Sequence, residues 1–462
     1  MIEVTSGLKQ KSTHALWLPF SRPTDPEAER GPVVIERGEG VWLWDTEGKR
    51  YLDGVGALEA MALGHGRREL VEVAYRQMQQ LAFLDVFRYA SKPAIGLAEM
   101  LLQIGPRNMA RVFFAPGGSE AVETALKLAF QYHYLRGEPQ RRKVICRQGA
   151  YHGVTFGAMN CDGRYHATRN DIYLGECHFG EVAEGPASGP GWGLGGRHTA
   201  GAENFRQKIL QLGPENVAAI IVDPLAIASA VAMPPASDLQ ALRALCDEFG
   251  ILLIVDEVIS GFARSGRMFV CELYDVQPDF LILSKALSSG YMPIGATLVS
   301  QKVIDAFNQG DPKDNIFTHG HTYSGHPVAC AVALENIRII QEEKLADRAA
   351  QMGVYFKEAL SRLKHHPSFV DARGIGLVWG LELIGSDERA AAWGGARKAC
   401  LWLRKRLRDL GLVTLTLHPG TVFLLAPPLI IKQEEINVMV EILDQGLSEL
   451  DAALGDHTAA GG

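Results

Sequence analysis

Two residues in this 462-residue chain stand out for the chemistry they could do, a lysine and an aspartate set behind apolar runs. Lys285 follows FLIL in FLILSKALSSGYMPIGA, and Asp256 and Glu257 follow ILLIV in ILLIVDEVISG. A lysine at a buried strand end can snorkel its ammonium to water. A desolvated lysine is also the residue type used for Schiff-base chemistry. Asp256 can cap the segment that follows it, the commoner case, or stand ionised against a cation in a dry site. Two weaker signals accompany them. In FFAPGGSEAVE, a Gly-Gly-Ser turn through Gly118 and Ser119 opens a helix and offers free N–H groups and a positive dipole end to a phosphate. Such a turn alone often reflects only backbone geometry. In GAYHGVTFGA, Tyr151 and His152 read as a packed aromatic beside a capping histidine, or as a flat face for a heteroaromatic ring. Together the four segments match one cofactor. Pyridoxal phosphate needs a lysine for its aldehyde, an anion for its ring nitrogen, a phosphate cradle and an aromatic face.

The surrounding pattern supplies elements to position these groups. From Gly31 to Asp53, GPVVIERGEGVWLWDTEGKRYLD reads as short strands broken by turns at RGEG and DTEGK. Helical spacing runs through RRELVEVAYRQMQQLAF, GSEAVETALKLAFQYHYLRG and SDLQALRALCDEFG. RVFFAPGG, RRKVICRQ, VAAIIVDP, GILLIVDE and DFLILSK are short β-rich runs. Strands alternating with helices predict an α/β fold with a mainly parallel sheet covered on both faces. Ligands of such sheets sit beyond the carboxyl ends of the strands. The Gly/Pro-rich stretch 183–202 predicts a surface loop. Towards the C-terminus, amphipathic helices alternate with strands such as GLVWGLEL and TVFLLAPP, giving a smaller α+β layer joined to the N-terminal strands. The expected division is 1–65 for the small domain, 66–329 for a large cofactor-binding domain and 330–462 for the rest of the small one.

Composition narrows the class of partner. Hydrophobic residues make up 47% and charged residues 21%, ordinary for a globular protein, and the net charge of −7 argues against nucleic acid or an anionic membrane surface. The seven cysteines lack CxxC spacing, which predicts reduced thiols in a cytoplasmic protein. The N-terminus has no apolar h-region, and no run approaches the roughly 18 apolar residues of a membrane span.

Taken in order, GGSEAVETALKLA, YHG, DEVISGFARSG, SKALSSGYMPIGA and HTYSGHPVACA resemble the class III pyridoxal-phosphate-dependent aminotransferases. The likeness runs from HALWLPF at residue 14 to APPLII, nearly the whole chain. The resemblance implies fold type I, with a large domain around a mainly parallel sheet and a small domain from both termini. It implies an omega-transaminase-like transferase (EC 2.6.1.-) moving an amino group from a primary amine, or an omega- or beta-amino acid, to a keto acid such as pyruvate. That reaction runs ping-pong through pyridoxamine phosphate. It also implies a homodimer with active sites at the interface, a tetramer being open. By the same likeness Lys285 is the Schiff-base lysine and proton shuttle, and Asp256 is the partner of the ring nitrogen. Val258 and Tyr151 cover the two ring faces. Gly118 and Ser119 hold the phosphate, with Thr322 of the partner subunit reaching it too. Glu123 is a weaker candidate for a structural or cofactor-network role. The alternative is a class III-fold racemase, aminomutase or decarboxylase, since the cofactor supplies the carbanion in each. A cofactor-free homologue fits poorly, because every carried-over position is intact.

Three departures from the family pattern bear on substrate choice. Leu417 or His418 stands where many members carry a carboxylate-clamping arginine. Glu59 of DGVGALEAM stands where a tryptophan is usual, and Asp223-Pro224 replaces Glu-Pro. Glu59 is expected either as a rim residue paired with a nearby cation, Arg88 being one candidate, or as an attractor for a second ammonium, which would suit a diamine. Arg88 and Arg264 are candidates for the acceptor carboxylate, and Phe20 for the substrate pocket. His319, His321 and His326 read as loop histidines and no metal is expected. GIGLVWG, which looks like a dinucleotide fingerprint, lies in a strand-like segment without a following helix.

Overall fold

In this computed structural model, residues 16–21, 32–163, 180–183, 200–385, 387–417 and 420–459 are described. Seven strands form the principal sheet: β1 (Met109–Ala115), β2 (Lys143–Arg147), β3 (Gly180–Ala183), β4 (Val217–Val222), β5 (Leu252–Asp256), β6 (Phe280–Leu283) and β7 (Gly295–Ser300). Their order is β1-β7-β6-β5-β4-β2-β3. From β6 through β3 every pairing is parallel, whereas β7 runs antiparallel to both β6 and β1. Strand β1 is thereby parallel to β6, so its carboxyl end lies on the same edge as those of β5 and β6.

The apolar runs are continuous because both faces of the sheet are covered. Alternate residues enter different cores. Leu253, Val255, Leu281 and Leu283 pack on one side with Leu97, Leu101 and Ile337. Ile254, Phe280 and Ile282 pack on the other with Ala121, Val122, Ala125 and Ala129 of helix α1 (Gly118–Leu135). Each fully buried Leu, Ile or Phe contributes about 1.5–3 kcal/mol. A polar substitution in β5 or β6 would open one of the two cores above the site. Gly295 lets β7 start beside α1, since a Cβ there would meet the Gly117 carbonyl oxygen at 2.3 Å.

Two small sheets flank this unit. Ile35–Glu39, Trp42–Asp45 and Arg50–Asp53 form an antiparallel meander, completed by Leu412–Val413 pairing parallel to Arg50–Asp53. The N-terminal strands thus take their last partner from the C-terminal region. Phe369–Ile375, Val378–Leu383, Val422–Leu425 and Leu415–Leu417 make the second sheet, all antiparallel. GIGLVWG is the hairpin between its first two strands, so a strand rather than a helix directly follows the glycine turn. Residues 184–199, most of the predicted loop, lie outside the described residues. Among the described residues no helix is long and apolar enough to cross a membrane.

Candidate active site

The carboxyl edge of the principal sheet gathers the chemical groups. Asp256 ends β5, Lys285 comes two residues after β6, Tyr151 and His152 follow β2, and α1 opens after β1. A pocket of about 150 Å³ is lined by Gly118, Ser119, Tyr151, Asp256, Val258 and Lys285, six residues singled out in the sequence. His152, Gly153, Asp223, Ile259 and Ser284 complete its wall.

Asp256 is held by two donors. Its Oδ1 accepts from the Val258 N–H at 3.0 Å, and its Oδ2 lies 2.8 Å from His152 Nδ1. The other nitrogen of His152, Nε2, is buried and has no hydrogen-bond partner among the described residues. Asp223, where Glu is usual, is buried and accepts from the Leu225 and Ile227 N–H groups at 3.0 and 2.7 Å. Burial, and then the charge of Asp256, pushes its carboxyl above the usual range. Gly153 brings the Tyr151 loop against α1. It has φ +135°, and a Cβ there would meet Ser119 Oγ at 2.4 Å. The Val154 N–H donates to that hydroxyl at 3.2 Å. The first N–H groups of α1 have no acceptor within the helix, so they point a positive end at the pocket.

These features fit pyridoxal phosphate: a lysine amine, a carboxylate held by two donors, an aromatic wall and a helix start that only glycine lets the neighbouring loop approach. The unpartnered His152 Nε2 is a further sign that the site is made for a polar ligand.

Lys285 is engaged within the chain. Its Nζ donates to Glu59 Oε2 at 2.5 Å, and the Glu59 side chain is only 4% exposed. Glu59 is therefore not a rim residue paired with Arg88. Arg88 is 79% exposed and lies 3.6 Å from Asp85. The turn that carries Glu59 is left-handed throughout, with φ of 51°, 47°, 64° and 61° from Gly56 to Glu59. Consecutive L-residues in that conformation cost about 1–2 kcal/mol each. Asp53 steadies the turn. Its Oδ1 accepts from the Ala57 N–H at 3.2 Å while its Oδ2 lies 3.0 Å from His65 Nε2. Lys285 itself has φ +46°. Both ends of the ion pair thus rest on strained backbone, a pattern that concentrates at functional sites.

Other candidates lie elsewhere. Arg264 is fully buried, and its Nη1 donates to the Leu377 and Pro427 carbonyls at 3.0 Å each. Burial pulls its guanidinium down to about 10, against the opposing charges of Glu59 and Asp53. Phe20 is 76% exposed, and Thr322 lies on an exposed turn apart from the pocket lining. Leu417 is buried at the end of its strand, and His418 lies outside the described residues. Glu123 has a structural task, accepting from the Gly157 and Ala158 N–H groups at 2.6 and 3.3 Å at the start of helix Phe156–Asn160. His326 caps helix Pro327–Glu342, and His319 stacks on Phe113.

Against known proteins, the family model for class III aminotransferases matches residues 24–447. A putrescine–pyruvate aminotransferase of Pseudomonas aeruginosa is 35% identical, over 92% of this chain and 92% of its own length. A gamma-aminobutyrate transaminase of Solanum lycopersicum is 36% identical, over 92% of this chain and 82% of its own. Among solved structures, an omega transaminase of Pseudomonas jessenii in complex with PMP superposes with a TM-score of 0.88 at 33% identity, covering 97% of this chain and 99% of that one. The chain belongs to the class III aminotransferases, a pyridoxal-phosphate-dependent family of fold type I. It is an aminotransferase.

Proposed function

We propose that this chain binds pyridoxal phosphate and moves an amino group from a primary amine to a keto acid such as pyruvate. The carrying observation is the single pocket in which Lys285 and Asp256 meet the start of α1. Lys285 would hold the cofactor, Asp256 its ring nitrogen, and Gly118 and Ser119 its phosphate, with Tyr151 and Val258 beside the ring. When bound, the cofactor supplies an electron sink for the carbanion formed at the amine carbon. The chain's own work is to place the Lys285 amine where it can take and return that proton, to fix the Asp256 carboxylate in place through His152 and the Val258 N–H, and to exclude water with the apolar wall.

A diamine donor is a second reading with its own support. Glu59 brings a buried carboxylate to the site, and the relative from Pseudomonas aeruginosa is named for putrescine. With Lys285 engaged by the cofactor, Glu59 is left to meet another ammonium.

The same reading extends to assembly. We take residues 66–329 as the cofactor domain and 1–65 with 330–462 as the small domain, consistent with the shared sheet of Arg50–Asp53 and Leu412–Val413. A cytoplasmic homodimer is proposed. In its favour, Phe87, Tyr89, Ile316 and Tyr323 are exposed, and Phe83 packs on Tyr323 with ring centroids 5.6 Å apart. Thr322 of the partner subunit would then complete the phosphate site.

The test is a half-reaction. A diamine, an aryl-alkyl monoamine, alanine and a β-amino acid are each added to the holoenzyme without acceptor while its visible band is followed. Loss of the band, restored by pyruvate, supports transamination. A persisting band with racemised or decarboxylated amine sinks it.

A further inference from the structure

Away from the pocket, where the short helix Arg362–His365 meets the C-terminal helix Gln433–Ala459, two adjacent histidines and an aspartate bring their ligand atoms within 4.8 Å of one another. His366 Nε2 lies 3.0 Å and His365 Nε2 3.5 Å from the same oxygen, Asp444 Oδ1. The opposite nitrogens fix the protons. His365 Nδ1 is 2.8 Å from the Arg362 carbonyl oxygen, which only accepts, so Nδ1 carries the hydrogen. His366 Nδ1 is 3.1 Å from Asp451 Oδ2, which in turn accepts from the Ser368 N–H at 3.0 Å through its other oxygen. A neutral ring with hydrogen on Nδ1 presents a lone pair at Nε2. Two such lone pairs then face a carboxylate oxygen, three acceptors with no donor among them. A proton or a cation between them would resolve the clash.

A proton on His366 Nε2 would serve the 3.0 Å contact alone and leave His365 Nε2, 3.5 Å from the oxygen, to water. One divalent cation satisfies all three atoms at once. Metal–ligand bonds of about 2.0–2.1 Å in a tetrahedron give edges of about 3.3 Å, and the two measured edges, 3.0 and 3.5 Å, bracket that length. The outer contacts are also those of a metal site, where a ligating histidine donates its other N–H to a carbonyl or carboxylate. His366 is buried, whereas His365 and Asp444 are 62% and 46% exposed in their side chains, which leaves a face open for a fourth ligand.

We propose that His365, His366 and Asp444 bind one imidazole-seeking divalent cation, of which Zn²⁺ is the representative. The ion ties the end of the helix Leu345–Ser361 region to the C-terminal helix and takes no part in amino transfer. The experiment uses untagged holoenzyme freed of metal by chelation, titrated with Zn²⁺ by calorimetry and melted with and without the ion. One equivalent per chain is expected, with a raised melting temperature. His365→Ala, at an exposed position, should weaken binding at least about tenfold and abolish the thermal shift. Asp444→Asn should do the same, and both variants should keep wild-type amino transfer. No saturable binding by wild type would leave the cluster held by protons and overturn the proposal. Binding unchanged in both variants would also overturn it, by locating the ion elsewhere.

Discussion

Glu59→Gln isolates the contact that most distinguishes this pocket. The amide keeps the shape of the carboxylate and removes its charge. Lys285 must leave Glu59 before its amine can bond to a cofactor, so the ion pair opposes capture. A hydrogen bond between charged partners contributes about 1.5–3 kcal/mol, and one with a neutral partner about 1. The upper end suits Glu59, only 4% exposed; the lower end suits Lys285, 26% exposed and partly screened by water. A difference of about 1–1.5 kcal/mol remains, close to tenfold in an equilibrium constant. The assay titrates apoenzyme with pyridoxal phosphate and follows the visible band of the lysine adduct. The variant should bind about tenfold more tightly. Unchanged or weaker capture by a variant with native circular dichroism would refute the argument.

Further outcomes follow from the same geometry. If Glu59 also receives a second ammonium, Glu59→Gln should lower kcat/KM for a diamine more than for a monoamine, and equal losses would exclude that role. His152→Ala removes the 2.8 Å partner of Asp256 and should weaken pyridoxal phosphate binding about 10-fold by equilibrium dialysis, while His152→Gln, which keeps a donor, should recover much of it. Arg264→Met strips a fully buried guanidinium from two carbonyls and, at about 1–3 kcal/mol for each buried acceptor left unsatisfied, should cost about 2–4 kcal/mol in urea unfolding; a loss under 1 kcal/mol would contradict the assigned role. Burial lifts Glu257 to about 7, against the N–H groups of Val270 and Cys271 that favour its charged form. The folded state then holds a proton that the unfolded chain releases near 4.5, so this group lowers stability as pH rises from about 4.5 to about 7, by roughly 3 kcal/mol in all. Glu257→Gln should flatten that part of the stability profile, and a profile unchanged by the substitution would contradict it.

The fold was legible where burial dictates residue type. β4, β5 and β6 read directly from VAAIIV, LLIVD and FLIL because a strand covered on both faces admits little else. β7 carries no comparable signal. GATLVS follows the lysine motif without a break and is short, and its place between β1 and β6 depends on contacts far along the chain. The cofactor pocket was legible as a set of strand ends, since each loaded residue follows an apolar run. Glu59 was legible as a departure but its partner was not, because a left-handed turn of non-glycine residues has no sequence signature that spacing can expose. His152 has the pattern of a capping residue, and its adjacency to Tyr151 at a strand end is the one signal of its role. Arg264 looked usable because arginines seldom lie fully buried, and only the two carbonyls around it reveal its structural task.

The central claim is that Lys285 carries the cofactor in this pocket. Holoenzyme incubated with pyridoxal phosphate is reduced with borohydride, digested, and the labelled peptide located by mass. The account predicts one label per chain, on Lys285 in the SKALSSG segment, and no label or visible band in Lys285→Ala. A label on another lysine, or an unaltered band in that variant, would contradict it.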